Sequence, residues 1–167
     1  MKGDDSMDTL FKLTPLRVEA VQLARQMEAC NRMSRHYGLS LDYSQIQELE
    51  EGRYRALADY GRIEFGEGIL QDLVQMFCDS PYLTQENYAA VLAELQDIFY
   101  YFKSESMDFL TDEELLEVMR ALFNGKAQGS TAYLSGTSME TLCRYFRGGW
   151  IEEGPTDREG EDNDAEG

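Results

Sequence analysis

Histidine occurs once in this chain, at His36, and cysteine three times, at Cys30, Cys78 and Cys143. A structural zinc site draws on clustered thiolates and imidazoles. There is no Cys-x-x-Cys pair and no second histidine to build one. The cysteine count is odd and the three are far apart in sequence. The N-terminus carries Lys2, Asp4, Asp5 and Asp8 with no apolar run, so no secretory signal is read there. A disulfide framework is not expected, and a reducing, cytoplasmic setting fits. Phosphate-cradling motifs are missing too. No Gly-x-x-x-x-Gly-Lys-Ser/Thr run occurs, and Gly61, Gly66 and Gly68 lack the spacing of a dinucleotide fingerprint. Ser104 to Leu115 holds acids at Glu105, Asp108 and Asp112 without the glycine and ligand spacing of a calcium loop. No stretch approaches the roughly 18 apolar residues that span a bilayer. The densest, Ile98–Phe102, is far shorter.

Basic residues are also scarce. Fifteen Lys and Arg stand against 32 Asp and Glu, a formal net charge of −17. Such a surface repels phosphate, which disfavours direct nucleic-acid binding and suits a basic partner or plain solubility. Acidic mimicry of a nucleic acid has only this charge in its favour. The acids are uneven: from Gly148 onward eight acids face one base, Arg158. That run of Glu, Asp and Gly cannot bury enough apolar area to offset its ordering entropy, and it reads as a disordered tail.

What the chain does have is helical periodicity. Thr14-Pro15 reads as the cap and first residue of a helix carrying Leu16, Ala20, Leu23, Met27 and Cys30, with Gly38 as its stop. Ile46, Leu49, Tyr54 and Leu57 mark a second helix, in which Gly52 is a candidate break and Arg53 and Arg55 a local basic spot. Gly61–Gly68 reads as a connector with Ile63 and Phe65 as two buried anchors. Ile69, Leu70, Leu73, Met76 and Phe77 mark a third helix ending at Ser80-Pro81. Thr84 is placed as cap of a fourth, with Tyr88, Val91, Leu92, Leu95, Ile98, Phe99 and Phe102 on one stripe. Thr111 to Glu114 is a capping-box pattern opening a fifth, which Gly125 closes. Thr137 or Ser138 is expected to cap a last helix through Phe146, with Trp150 marking the edge of the ordered part. The expected architecture is all-α: a compact single-domain bundle of about six helices. It comprises a flexible N-terminus (1–13), a helical domain (14–148) and a disordered acidic tail (149–167).

Candidate chemistry is thin. His36 sits near a helix end, where the dipole favours a cation, and nothing near it in sequence suggests a positioned nucleophile. Glu94, Asp97 and Tyr101 share a helical stripe, with Glu105 a turn further. Paired carboxylates can share a proton or bind a metal. A carboxylate-bridged site normally adds Glu-x-x-His from facing helices, and that partner is missing, so a solvated face is the plainer reading. Arg62 and Glu64 flank Ile63 on the glycine-shaped connector. They read as a contact site or, more simply, as a local ion pair. Of Tyr100 and Tyr101, at least one must leave the buried stripe, and exposed tyrosine suits a protein interface.

Four strings, Tyr37-Gly38-Leu39-Ser40, Gly61-Arg62-Ile63-Glu64-Phe65-Gly66, Phe77-Cys78-Asp79-Ser80-Pro81-Tyr82 and Leu95-Gln96-Asp97-Ile98-Phe99-Tyr100-Tyr101-Phe102-Lys103, resemble those of a bacterial family defined only as a domain of unknown function. The resemblance runs from about Cys30 to Arg147. It implies a small bacterial single-domain protein and brings no activity, cofactor or catalytic residue. It singles out Arg62, Glu64, Asp79, Asp97 and Lys103 as polar members of the strings. With no assembled catalytic group, the expected function is a protein–protein interaction module, adaptor or accessory, without cofactor or metal. Its expected partner is another protein, possibly a basic one, and no membrane is involved. The alternative is an enzyme or metal-binding protein using the carboxylates of the fourth helix.

Overall fold

A computed structural model describes residues 5–144 of the chain, with side chains from residue 18 onward. Helix α1 (Asp5–Ser34) runs into a 3-10 turn (Arg35–Tyr37) and is followed by α2 (Tyr43–Asp59), α3 (Leu70–Phe77), α4 (Tyr88–Glu105) and α5 (Asp112–Asn124). A last helical segment joins α6 (Thr131–Tyr133), a π-helical turn (Leu134–Met139) and α7 (Glu140–Arg144). The described residues hold no strand and form six helical segments, as the periodicity predicts, and the fold is all-α. The acidic tail and Trp150 lie outside the described residues.

The packing follows from the stripes. α4 is the central helix, burying Tyr88, Leu92, Leu95, Phe99, Tyr100 and Phe102 among its neighbours. α2 packs chiefly on α4, and α1 on α3. α3 buries Leu70, Leu73, Val74 and Phe77, and α5 buries Leu115, Leu116, Met119 and Phe123. Phe77 meets Phe123 edge-on, with ring centroids 5.5 Å apart. Each fully buried ring or leucine removes apolar surface worth about 1.5–3 kcal/mol from water. That is the main force holding short, individually marginal helices in place.

Local signals explain most ends. Gly38 takes φ 72° and its N–H donates to the Arg35 carbonyl, closing the α1 segment as expected. Asn31 then brackets Leu41 from both sides of the turn: its Nδ2 donates to the Leu41 carbonyl at 2.9 Å and its Oδ1 accepts from the Leu41 N–H at 2.7 Å. Thr111 and Glu114 form the expected capping box of α5.

Several expectations are corrected. α1 begins at Asp5, upstream of Thr14-Pro15, so the proline lies inside the helix. Proline has no N–H, so the helix forgoes one backbone bond at that position. Gly52 does not break α2, which is continuous. α4 begins at Tyr88, and Thr84 instead opens the turn before it, where the Thr84 N–H donates to Asn87 Oδ1 and the Asn87 N–H to Thr84 Oγ1. The final helical segment starts at Thr131, where Ser130 Oγ accepts from the Tyr133 N–H at 3.1 Å, ahead of Thr137 and Ser138.

Candidate functional site

The connector between α2 and α3 overturns the sequence reading most clearly. Ile63 and Phe65 are not buried anchors; they are 84% and 92% exposed. The alternation is real but its sense is reversed, and the charged residues Arg62 and Glu64 face inward. The reason is Arg53. It is no surface basic spot: it is 3% exposed and lies beneath the connector. Its Nε donates to Glu64 Oε1 at 3.0 Å, its Nη1 to Glu50 Oε2 at 3.3 Å and its Nη2 to the Gly66 carbonyl at 3.3 Å. Tyr100 of α4 donates its hydroxyl to Glu64 Oε2 at 2.8 Å. A buried guanidinium needs this saturation, because an unpaired one is costly. Burial alone would lower the Arg53 pKa; the interaction with Tyr100 and the charges of Glu50 and Glu64 outweigh it and hold the pKa above its ordinary value. Burial, then the Glu64 carboxylate, pushes the Tyr100 phenol well up, so it stays a donor.

Arg62 and Glu64 do not pair with each other. Arg62 reaches the α4–α5 loop, where its Nη2 donates to Asp108 Oδ1 at 2.6 Å and its Nη1 to Asp108 Oδ2 at 3.3 Å. The fork holds the Asp108 carboxyl below the usual carboxylate range. Lys103 closes the same loop, donating to the Leu110 carbonyl at 2.6 Å and pairing with Asp112 at 2.8 Å. Met107 and Asp108 take the left-handed backbone, φ 52° and 58°. Side chains rarely adopt that conformation without outside support. The loop therefore presents Met107 and Phe109 to solvent on either side of the Arg62–Asp108 bridge. The Arg62–Asp108 fork thus ties the connector carrying the exposed Ile63 and Phe65 to the loop carrying the exposed Met107 and Phe109.

The remaining candidates go elsewhere. Asp79 pairs with Arg120 of α5 at 2.9 Å, joining the α3 end to α5. Glu94, exposed, bonds to the Thr131 hydroxyl. Tyr101, half-buried, donates to Glu140 at 3.2 Å and lies against the Tyr60 ring. Asp97 faces α2 in a cleft of about 740 Å³ lined by both helices. Burial first, then Asp59 and Glu94, lifts its carboxyl above the ordinary range, against Arg55. These side chains do not converge on one centre. Among the described residues no group of three or more His, Cys, Asp or Glu is placed to hold a metal ion. The buried thiol of Cys30 is pushed up to about 12 by desolvation, then by Glu50, which leaves it protonated and inert as a nucleophile. No helix among the described residues is long and apolar enough to cross a membrane.

Sequence reasoning missed Ile63, Phe65, Met107 and Phe109 as surface residues. The period-two pattern of the connector was visible, but which face it buries depends on Arg53, which is supplied by another element. Comparison with known proteins adds the family. A model described as a family of unknown function, DUF6323, matches residues 26–152, and the chain belongs to that family. No curated protein matches. No solved structure matches.

Proposed function

We propose that this member of a family of unknown function is a protein–protein interaction module whose contact surface is the pair of loop tips carrying Ile63, Phe65, Met107 and Phe109. The observation that supports this reading is the exposure of Phe65, at 92%, on a connector whose neighbouring side chains are tied down beneath it. Large apolar side chains gathered at one place on a surface mark interaction sites. Fixing the loops through Arg53, Glu64, Tyr100, Arg62 and Asp108 removes ordering entropy that binding would otherwise cost. The surrounding body is acidic. The partner surface that complements it is therefore an apolar recess rimmed by Lys or Arg, the charges serving encounter and orientation more than affinity.

Affinity capture with wild-type protein and with an Ile63→Ser/Phe65→Ser double variant tests this. Both side chains are solvent-exposed, so the variant should keep the wild-type melting temperature. A partner recovered by the wild type and lost by the variant supports the reading. A partner retained by the variant, or none recovered by either, counts against it.

A further inference from the structure

Helix α1 carries two apolar stripes, and the bundle uses one of them. Leu23, Met27 and Cys30 lie on the stripe that packs into the core. A second register, Met7, Phe11, Thr14, Val18 and Val21, recurs at spacings of four and three on the opposite face, with Leu10 beside it. Where side chains are described, the bundle leaves this face uncovered. Residues 18–22 are all exposed, Val18 at 49% and Val21 at 50%, and the first buried side chain is Gln26. From Arg25 the same register turns polar, and Glu28 and Arg32 form an exposed ion pair on it. The apolar register therefore ends where the helix meets the bundle, and the family match also begins there, at residue 26. A helical stretch of this length is marginal in water without a packed face.

We propose that this face pairs with the same face of a second copy, as an antiparallel helix dimer centred on Thr14. Charge selects the occupant. Residues 1–25 are neutral, Lys2, Lys12, Arg17 and Arg25 balancing Asp4, Asp5, Asp8 and Glu19, so the whole of the −17 lies beyond them. Two copies can meet along this arm without the repulsion that opposes contact between their bodies. Charge also selects the direction. A parallel pair would set the two acidic bodies side by side. An antiparallel pair centred on Thr14 places Gln26 of one copy about 36 Å along the axis from Gln26 of the other, several times the Debye length of about 8–10 Å. That register brings Met7 opposite Val21 and Leu10 opposite Val18, the self-complementary pattern of a two-fold interface. Thr14 falls at the two-fold axis, a polar position of the kind that fixes register between paired helices. A contact of about four turns per copy is small beside the roughly 800 Å² per partner of a standard interface, so a micromolar dimer is expected. This surface is independent of the loop tips.

Sedimentation velocity of the full chain from about 1 to 100 µM at roughly physiological salt tests this, with Val18→Gln/Val21→Gln as the variant. The wild type should pass from monomer to dimer over that range. The variant keeps the charge and suits a helix, and it should weaken dimerisation at least about tenfold. Direction is read by oxidative cross-linking of Thr14→Cys and Glu28→Cys. The three native cysteines are buried and do not compete. Thr14→Cys should give a covalent dimer, and Glu28→Cys, about 42 Å from its counterpart, should not. A wild type that stays monomeric throughout overturns the proposal. So does a dimer that Val18→Gln/Val21→Gln leaves unchanged, which would place the contact on another surface. Cross-linking through Glu28→Cys as readily as through Thr14→Cys would mean a parallel pair and overturns it too. If the double variant loses helix content by circular dichroism, the two cysteine variants decide alone.

Discussion

Arg53 shows how one buried charge organises a loop. Its guanidinium is held by Glu50, Glu64 and the Gly66 carbonyl, with the Tyr54 ring 5.5 Å away. Gly68 completes the enclosure: a Cβ there would fall 2.2 Å from Arg53 Nε, and its φ of 78° is one that side chains avoid. Gly68→Ala should therefore cost at least about 2 kcal/mol, from backbone strain and overpacking together. Glu64→Ala removes the main partner of a buried cation and should cost about 3 kcal/mol. Glu64→Gln should cost clearly less, because its amide oxygen still accepts from Arg53 and Tyr100. Urea denaturation of the three variants checks the order, and equal losses for Ala and Gln would contradict it.

Between elements, the polar residues of the family-like strings act as fasteners. Arg62 joins the α2–α3 connector to the α4–α5 loop, Lys103 closes that loop, and Asp79 ties the end of α3 to α5. The Arg62–Asp108 bridge has a pH signature. Asp108 has a lower pKa folded than unfolded. Its contribution is present above the unfolded carboxylate value and is lost as pH falls through the lower folded value. Asp108→Asn should therefore lose stability at neutral pH and show a smaller further loss on acidification, measured as melting temperature against pH. Surface exposure of Asp108 limits the neutral-pH loss to about 1 kcal/mol. At the start of α5 the capping box predicts a loss of about 1 kcal/mol for Thr111→Ala, checked by chemical denaturation.

At the scale of the whole molecule, a charge of −17 sets a background of self-repulsion. The charged contacts described above screen only weakly where they are buried, as at Arg53, whereas repulsion between exposed acids falls within a Debye length of about 8–10 Å. Added salt should accordingly raise the melting temperature of the wild-type chain. A fall would mean that exposed bridges such as Arg62–Asp108 outweigh the repulsion.

The sequence by itself determined that the chain is helical and where most of its helices lie, though not where the first, fourth and last begin, because periodic leucines and aromatics, the Thr111–Glu114 capping box and the Gly38 stop are local signals read over a few residues. It also determined the net charge and the lack of a thiolate–imidazole cluster, which are matters of composition. Only the tertiary structure decided which side of Ile63-Glu64-Phe65 faces inward. A period-two pattern has two faces, and the choice between them was made by Arg53 and Tyr100, side chains of two other elements, α2 and α4. It likewise decided that Glu94, Asp97 and Tyr101, neighbours on one helix, serve three different places. Spacing along a helix fixes a shared stripe, but what each side chain meets depends on the elements that α4 packs against.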